Sequence, residues 1–177
     1  MKNISLILLI IICMGLFSCA DSSSGKRFKK EYEKLNNNHY KVSIQKDNPF
    51  VYSNIKEINK LVDSKDNFVM FVGQASDNWS RHLSEIIIAA SKELDIEKVY
   101  YIESSDKQID EFAKKQKIDI NIPSLVVFKK GKIKSLYNTL DDSEKNPKEK
   151  FNKTYYKKIL TIVKNTLKAW FIIMLFY

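Results

Sequence analysis

The stretch Phe68-Val69-Met70-Phe71-Val72-Gly73-Gln74-Ala75-Ser76-Asp77-Asn78-Trp79-Ser80-Arg81-His82-Leu83 decides how this chain folds. Residues 67–73 hold a continuous apolar run of strand length, with no polar alternation. A strand reads this way when both of its faces are covered, as in a parallel sheet flanked by helices. Residues 74–78 are short and mostly polar, a loop composition. Beyond them Leu83, Ile86, Ile87, Ala90 and Leu94 recur on one helical face, which predicts a helix over 79–94. Asp77 stands at the N-cap position of that helix. Its carboxylate is placed to accept from the backbone N–H near Ser80.

Working outward, Ile55, Ile58, Leu61 and Val62 recur at helical spacing and predict a helix over 53–64, capped by Ser53 or Asn54. Upstream of it, Tyr40-Lys41-Val42-Ser43-Ile44 alternates like a short strand and Asp47-Asn48-Pro49 signals a turn. A helical stretch over 27–35 is broken by Asn36-Asn37-Asn38. Downstream come a strand over 98–102 and a helix over 107–117 with Ile109 and Phe112 inward. The strand Ser124-Leu125-Val126-Val127-Phe128 follows. Lys129-Lys130-Gly131-Lys132 then turns into Ile133-Lys134-Ser135-Leu136-Tyr137, an antiparallel hairpin. A polar loop over 141–150 precedes a last helix carrying Phe151, Tyr155, Ile159, Ile162 and Val163. The order β-α-β-α-β-β-α, preceded by extra N-terminal structure, is that of an α/β domain with helices on both faces of a central mixed sheet.

Residues 1–18 read as an export signal: one early lysine, then a short apolar run. The signal ends in Leu16-Phe17-Ser18-Cys19, which resembles the bacterial lipobox. That resemblance implies cleavage before Cys19, lipid on its sulfur, and a protein anchored to the outer face of the cell membrane. An uncleaved anchor is the competing reading. Residues 20–30, with Ser22-Ser23-Ser24-Gly25, have the composition of a solvated, flexible tether. The 177-residue chain holds two cysteines, Cys13 and Cys19. One leaves with the signal and the other is taken by lipid, so the processed domain has no thiol for disulfide exchange or a thiolate metal site.

About 150 residues then remain, enough for one domain with a core of its own. The expected division is a tether and N-terminal extension over 19–47, the domain over 48–168 and an apolar tail over 169–177. Nine apolar residues cannot span a bilayer. The tail suits the membrane interface, beside Lys157, Lys158, Lys164 and Lys168, or the core, or is an altered end. The net charge is +9, nearly all from lysine. It fits a solvated surface, or an anionic lipid or wall polymer. With arginine only at Arg27 and Arg81 and no aromatic-basic platform, nucleic acid is not expected.

Three features resemble the thioredoxin fold: the strand, loop and helix around Asp77-Asn78-Trp79-Ser80; Ile122-Pro123-Ser124 leading into an apolar strand; and Phe128-Lys129-Lys130-Gly131-Lys132. More narrowly, Asn48-Pro49-Phe50 together with Phe71-Val72-Gly73-Gln74-Ala75-Ser76 resembles thioredoxin-like lipoproteins of Gram-positive bacteria, including the bacteriocin-accessory type. Those read C-P-x-C-R at the active-site slot. Here Asp77 takes the first cysteine, Asn78 the proline, Trp79 the aromatic residue and Ser80 the second cysteine, while Arg81 matches. The resemblance implies a cis-proline loop at Ile122 and Pro123 that faces the slot and pairs with extended polypeptide. The family's chemistry rests on its sulfurs, so no catalytic residue and no cofactor are expected. The reading is a redox-inactive accessory factor that binds an exported protein or peptide at the cell surface. The alternatives are a thiol-disulfide oxidoreductase family member by fold, and a bacteriocin export or immunity accessory protein.

Other chemistries fare worse. Ser80 and His82 diverge on a helix, and no nucleophile elbow surrounds Ser80, which argues against a hydrolase triad. His39 and His82 are the two histidines, and nothing in the pattern brings them together, so no metal site is expected. Trp79 reads as an exposed anchor at the tip of the slot, with packing on Pro123 the alternative.

Overall fold

In the computed structural model, which describes residues 22–37, 41–138, 157, 160 and 161, an N-terminal helix opens the fold. This is α1 (Ser22–Lys34), followed by β1 (Phe50–Tyr52), α2 (Ile55–Asp63), β2 (Phe68–Gly73) and α3 (Asn78–Glu93). Then come β3 (Val99–Glu103), α4 (Ile109–Gln116), β4 (Ser124–Lys129) and β5 (Lys132–Asn138). The strands form one sheet in the order β1-β3-β2-β4-β5. β3 runs parallel to β1 and β2, whereas β4 pairs antiparallel with β2 and β5. The α/β class and the mixed sheet expected from the sequence are those found, in a thioredoxin-like arrangement.

β2 is buried along its whole length, and its residues alternate between two cores. Val69 and Phe71 point to one face, where they pack with Phe28, Tyr32, Phe50, Leu83, Ile87, Tyr101 and Val127. Phe68, Met70 and Val72 point to the other, with Ile55, Ile58, Ile102, Phe112 and Phe128. Thus α1 and α3 cover one face of the sheet, and α2 and α4 the other. This two-sided burial is why β2 reads as an unbroken apolar run.

The solvated tether expected over 20–30 is corrected by α1. Its 13 residues are helical from Ser22, and Phe28 and Tyr32 are wholly buried. Phe28 stacks on Tyr32 and on Phe50 with ring centroids 4.0 Å apart in each pair, and meets Tyr101 edge-on at 5.0 Å. The helix is amphipathic, and burying its two rings offsets the weak helix propensity of its serines and glycine. The short strand expected over 40–44 is also corrected: residues 41–44 lie in no strand. Val42 and Ile44 are nonetheless buried, held by Asn36 and Glu33, whose side-chain oxygens accept from their backbone N–H groups at 2.9 Å each. β1 was not anticipated.

The β4–β5 hairpin closes through Gly131, at φ +68°. A Cβ there would lie 2.2 Å from the carbonyl oxygen of Val62, so the turn requires glycine. Lys157, Leu160 and Thr161 are helical, and Leu160 packs against the α1–α3 core. The rest of the expected last helix, the tail over 169–177, His39 and Cys19 lie outside the described residues.

Candidate functional site

The slot sits where β2 ends and α3 begins. Gly73 ends the strand, and Asp77 N–H donates to the Gln74 carbonyl at 3.0 Å, turning the loop. Asp77 is the N-cap of α3, as the sequence predicts. Its Oδ2 accepts from Ser80 N–H and from the Ser80 hydroxyl, both at 2.7 Å. The Ser80 hydroxyl in turn accepts from Gln74 N–H at 3.0 Å. Ser80 is wholly buried. Asp77 and Ser80 therefore form a closed capping unit, with the Ser80 oxygen engaged on both sides.

The strand register places the proline loop beside this unit. Val72 pairs with Ser124 across β2 and β4, which sets Pro123 next to the loop that leaves Gly73. The Ile122-Pro123 peptide bond is cis. Pro123 is buried, while Ile122 is 38% exposed, one of two large exposed hydrophobic residues among those described. The loop is stitched from β5. Asn138 Oδ1 accepts from Asn121 N–H at 3.4 Å, and Asn138 Nδ2 donates to the Asp119 carbonyl at 2.9 Å. The Ser124 hydroxyl lies between Asn138 Oδ1 and the Asn121 carbonyl.

Trp79 lies between the exposed anchor and the packed ring that the sequence left open: it is half-buried, whereas Asn78 beside it is exposed. Arg81 is buried, 2% exposed. It donates through Nη1 to the Leu35 carbonyl at 3.2 Å and through Nη2 to Asn36 Oδ1. His82 is not brought to Ser80. Its Nδ1 lies 3.6 Å from Glu85 Oε2, and Glu85 Oε1 accepts from Ser43 N–H at 2.9 Å. Among the described residues no group of three or more histidine, cysteine, aspartate or glutamate side chains is placed to hold a metal.

Beneath the loop, the Tyr101 hydroxyl lies 2.8 Å from Glu103 Oε2 and 3.2 Å from the Gly73 carbonyl. Burial, reinforced by Tyr32 and Glu103, pushes the Tyr101 phenol far above its ordinary range. It stays neutral and acts as a fixed donor. A shallow cleft of about 410 Å³ opens at the far edge, between Arg27, Asn54, Glu103 and Asp106. Its Asp106 carboxylate already caps the Ile55 and Gln108 N–H groups at 3.1 and 2.9 Å. Sequence reading found the Asp77 cap and the proline loop. It missed Asn138, Tyr101 and the Arg81 anchorage, which depend on contacts between distant segments.

No family model matches the sequence, and no curated protein matches it. Several solved structures are similar to parts of this chain. Thioredoxin O2 from Arabidopsis thaliana is 20% identical, over 51% of this chain and 82% of that chain, with a TM-score of 0.42. Thioredoxin from Trypanosoma brucei brucei is 14% identical, over 65% and 89%, with a TM-score of 0.44. An uncharacterised thioredoxin-like protein from Clostridium perfringens is 14% identical, over 67% and 80%, with a TM-score of 0.42.

Proposed function

We propose that this protein is a redox-inactive, thioredoxin-like binding factor, anchored by lipid on Cys19 at the outer face of the cell membrane. It holds an exported protein or peptide at the loop formed by Asp77, Asn78, Trp79 and Ser80 together with Ile122 and Pro123. One observation carries the reading: the two slot positions, Asp77 and Ser80, are spent on each other at 2.7 Å. A helix N-terminus that would stabilise a thiolate is instead neutralised by a carboxylate cap. What supports a partner surface is Ile122, exposed beside the slot, on a cis-proline loop of the kind that can pair with an extended chain.

The shared fold favours a second reading, descent from thiol-disulfide oxidoreductases with residual activity. The export signal and lipobox resemblance also fit an accessory role in bacteriocin export or immunity. An insulin-reduction assay on the processed lipoprotein separates the first two. The expected result is no turnover above buffer, and measurable turnover overturns the redox-inactive reading. Partner capture from membranes with wild-type protein and an Ile122→Asp variant tests the binding surface. Equal capture by both removes the proline loop from it.

A further inference from the structure

We propose that the outer face of α1 is a docking surface for an anionic lipid bilayer. It acts as a second, electrostatic membrane signal beside the lipid on Cys19, and so deepens that anchoring reading. The helix begins three residues after Cys19 in the sequence and is fixed to the domain by the buried rings of Phe28 and Tyr32. The bilayer therefore meets a rigid helix face.

That face is basic. Lys26, Lys30 and Lys34 are all exposed. At 3.6 residues per turn they fall within a stripe about 80° wide, on the side of the helix opposite Gly25, Phe28 and Tyr32. The flanking Arg27 and Lys29 are paired within the helix, to Glu31 at 2.9 Å and Glu33 at 2.6 Å. These pairs neutralise the acids of α1 and leave the three lysines in excess. None of the three makes a hydrogen bond or ion pair with a described residue. The lipobox resemblance implies a diacylglyceryl group, whose two acyl chains already anchor stably, so the basic stripe would add an electrostatic contact that depends on the lipid charge. Lysines near an anionic surface strengthen binding stepwise, so three are worth about a hundredfold in partitioning, an effect screened by salt.

The test uses the full chain carrying Cys19→Ser, which removes the acylation site. Partitioning is measured onto vesicles of phosphatidylcholine alone and of phosphatidylcholine with phosphatidylglycerol. The neutral vesicles report apolar insertion, so the ratio reports charge. The expected ratio is at least tenfold and collapses in high salt. A Lys26→Gln/Lys30→Gln/Lys34→Gln variant loses that preference, whereas Lys130→Gln/Lys132→Gln/Lys134→Gln on the exposed β4–β5 hairpin keeps most of it. An equal loss in both variants, or none in the first, overturns the proposal. So does binding to soluble polyphosphate without preference for anionic vesicles. Acylation itself is read separately, from the mass of the processed protein, so failure of the lipid anchor and failure of the α1 surface are distinguishable.

Discussion

Arg81, in the first turn of α3, donates from Nη1 to the backbone carbonyl of Leu35 at 3.2 Å, across 46 positions of sequence. The bond joins the start of the slot helix to the residue that follows α1. It accounts for an arginine at the helix start being 2% exposed, since a buried guanidinium needs acceptors on several sides. Arg81→Ala is expected to cost about 2 kcal/mol, as for a lost charge-assisted hydrogen bond. Faster amide exchange at Val42, whose N–H bonds Asn36, checks the link. Unchanged exchange there sinks it.

α1 is a core element by its contacts. Phe28→Ala is expected to remove about 3–5 kcal/mol, a large part of the total stability of a small domain. A urea midpoint equal to wild type would show the helix to be peripheral.

The cap at Asp77 makes a smaller and more specific claim. Asp77→Ala is expected to cost about 1 kcal/mol, and Asp77→Ser much less, because serine also caps. Thermal unfolding of the pair reads the difference. Similar losses in both variants would mean that the carboxylate acts otherwise than as a cap.

Gly131→Ala places a methyl group against the Val62 carbonyl, 2.2 Å away in the present backbone, at φ +68°. The turn must shift, with an expected cost of roughly 2 kcal/mol or more. Gly25→Ala, with its nearest neighbours at 3.2 Å, provides the milder comparison.

Acid unfolding carries a signature at Glu31. Burial alone would raise its carboxyl, but the Tyr52 hydroxyl and Arg27 both donate to it, and the net result is a value below the ordinary 4.5. The folded state thus favours the charged form. Its contribution is present above about pH 4.5 and is lost as pH falls through the lower folded-state value. Glu31→Gln is expected to flatten this part of the acid limb. An identical limb in the variant would remove Glu31 from the account.

Much of the sheet was legible because burial leaves a local mark. β2 reads as an apolar run, and the β4–β5 hairpin is announced by its Lys-Lys-Gly-Lys turn. The Asp77 cap was also visible, since a cap lies within three residues of its target. α1 was missed at its start because Ser22-Ser23-Ser24-Gly25 has a linker composition, and only Phe28 and Tyr32 reveal the buried face. Their value comes from Phe50 and Tyr101, far along the chain. β1 is three residues long, too short to show a period. Nothing in the local sequence marks Asn138, and its grip on residues 119–121 arises only when β5 comes back beside β4. The exposure of Trp79 stayed open between two readings because surface position at a helix start is set by neighbouring loops.

The stacking of Phe28 on the sheet has a kinetic side. Its ring is among the first core groups to leave the ribosome, yet its edge-on partner Tyr101 follows about seventy residues later. Closing so distant a contact slows folding in proportion to its loop entropy. The first helix is therefore made early but fixed late, and it locks only once β3 has been laid beside β1 and β2.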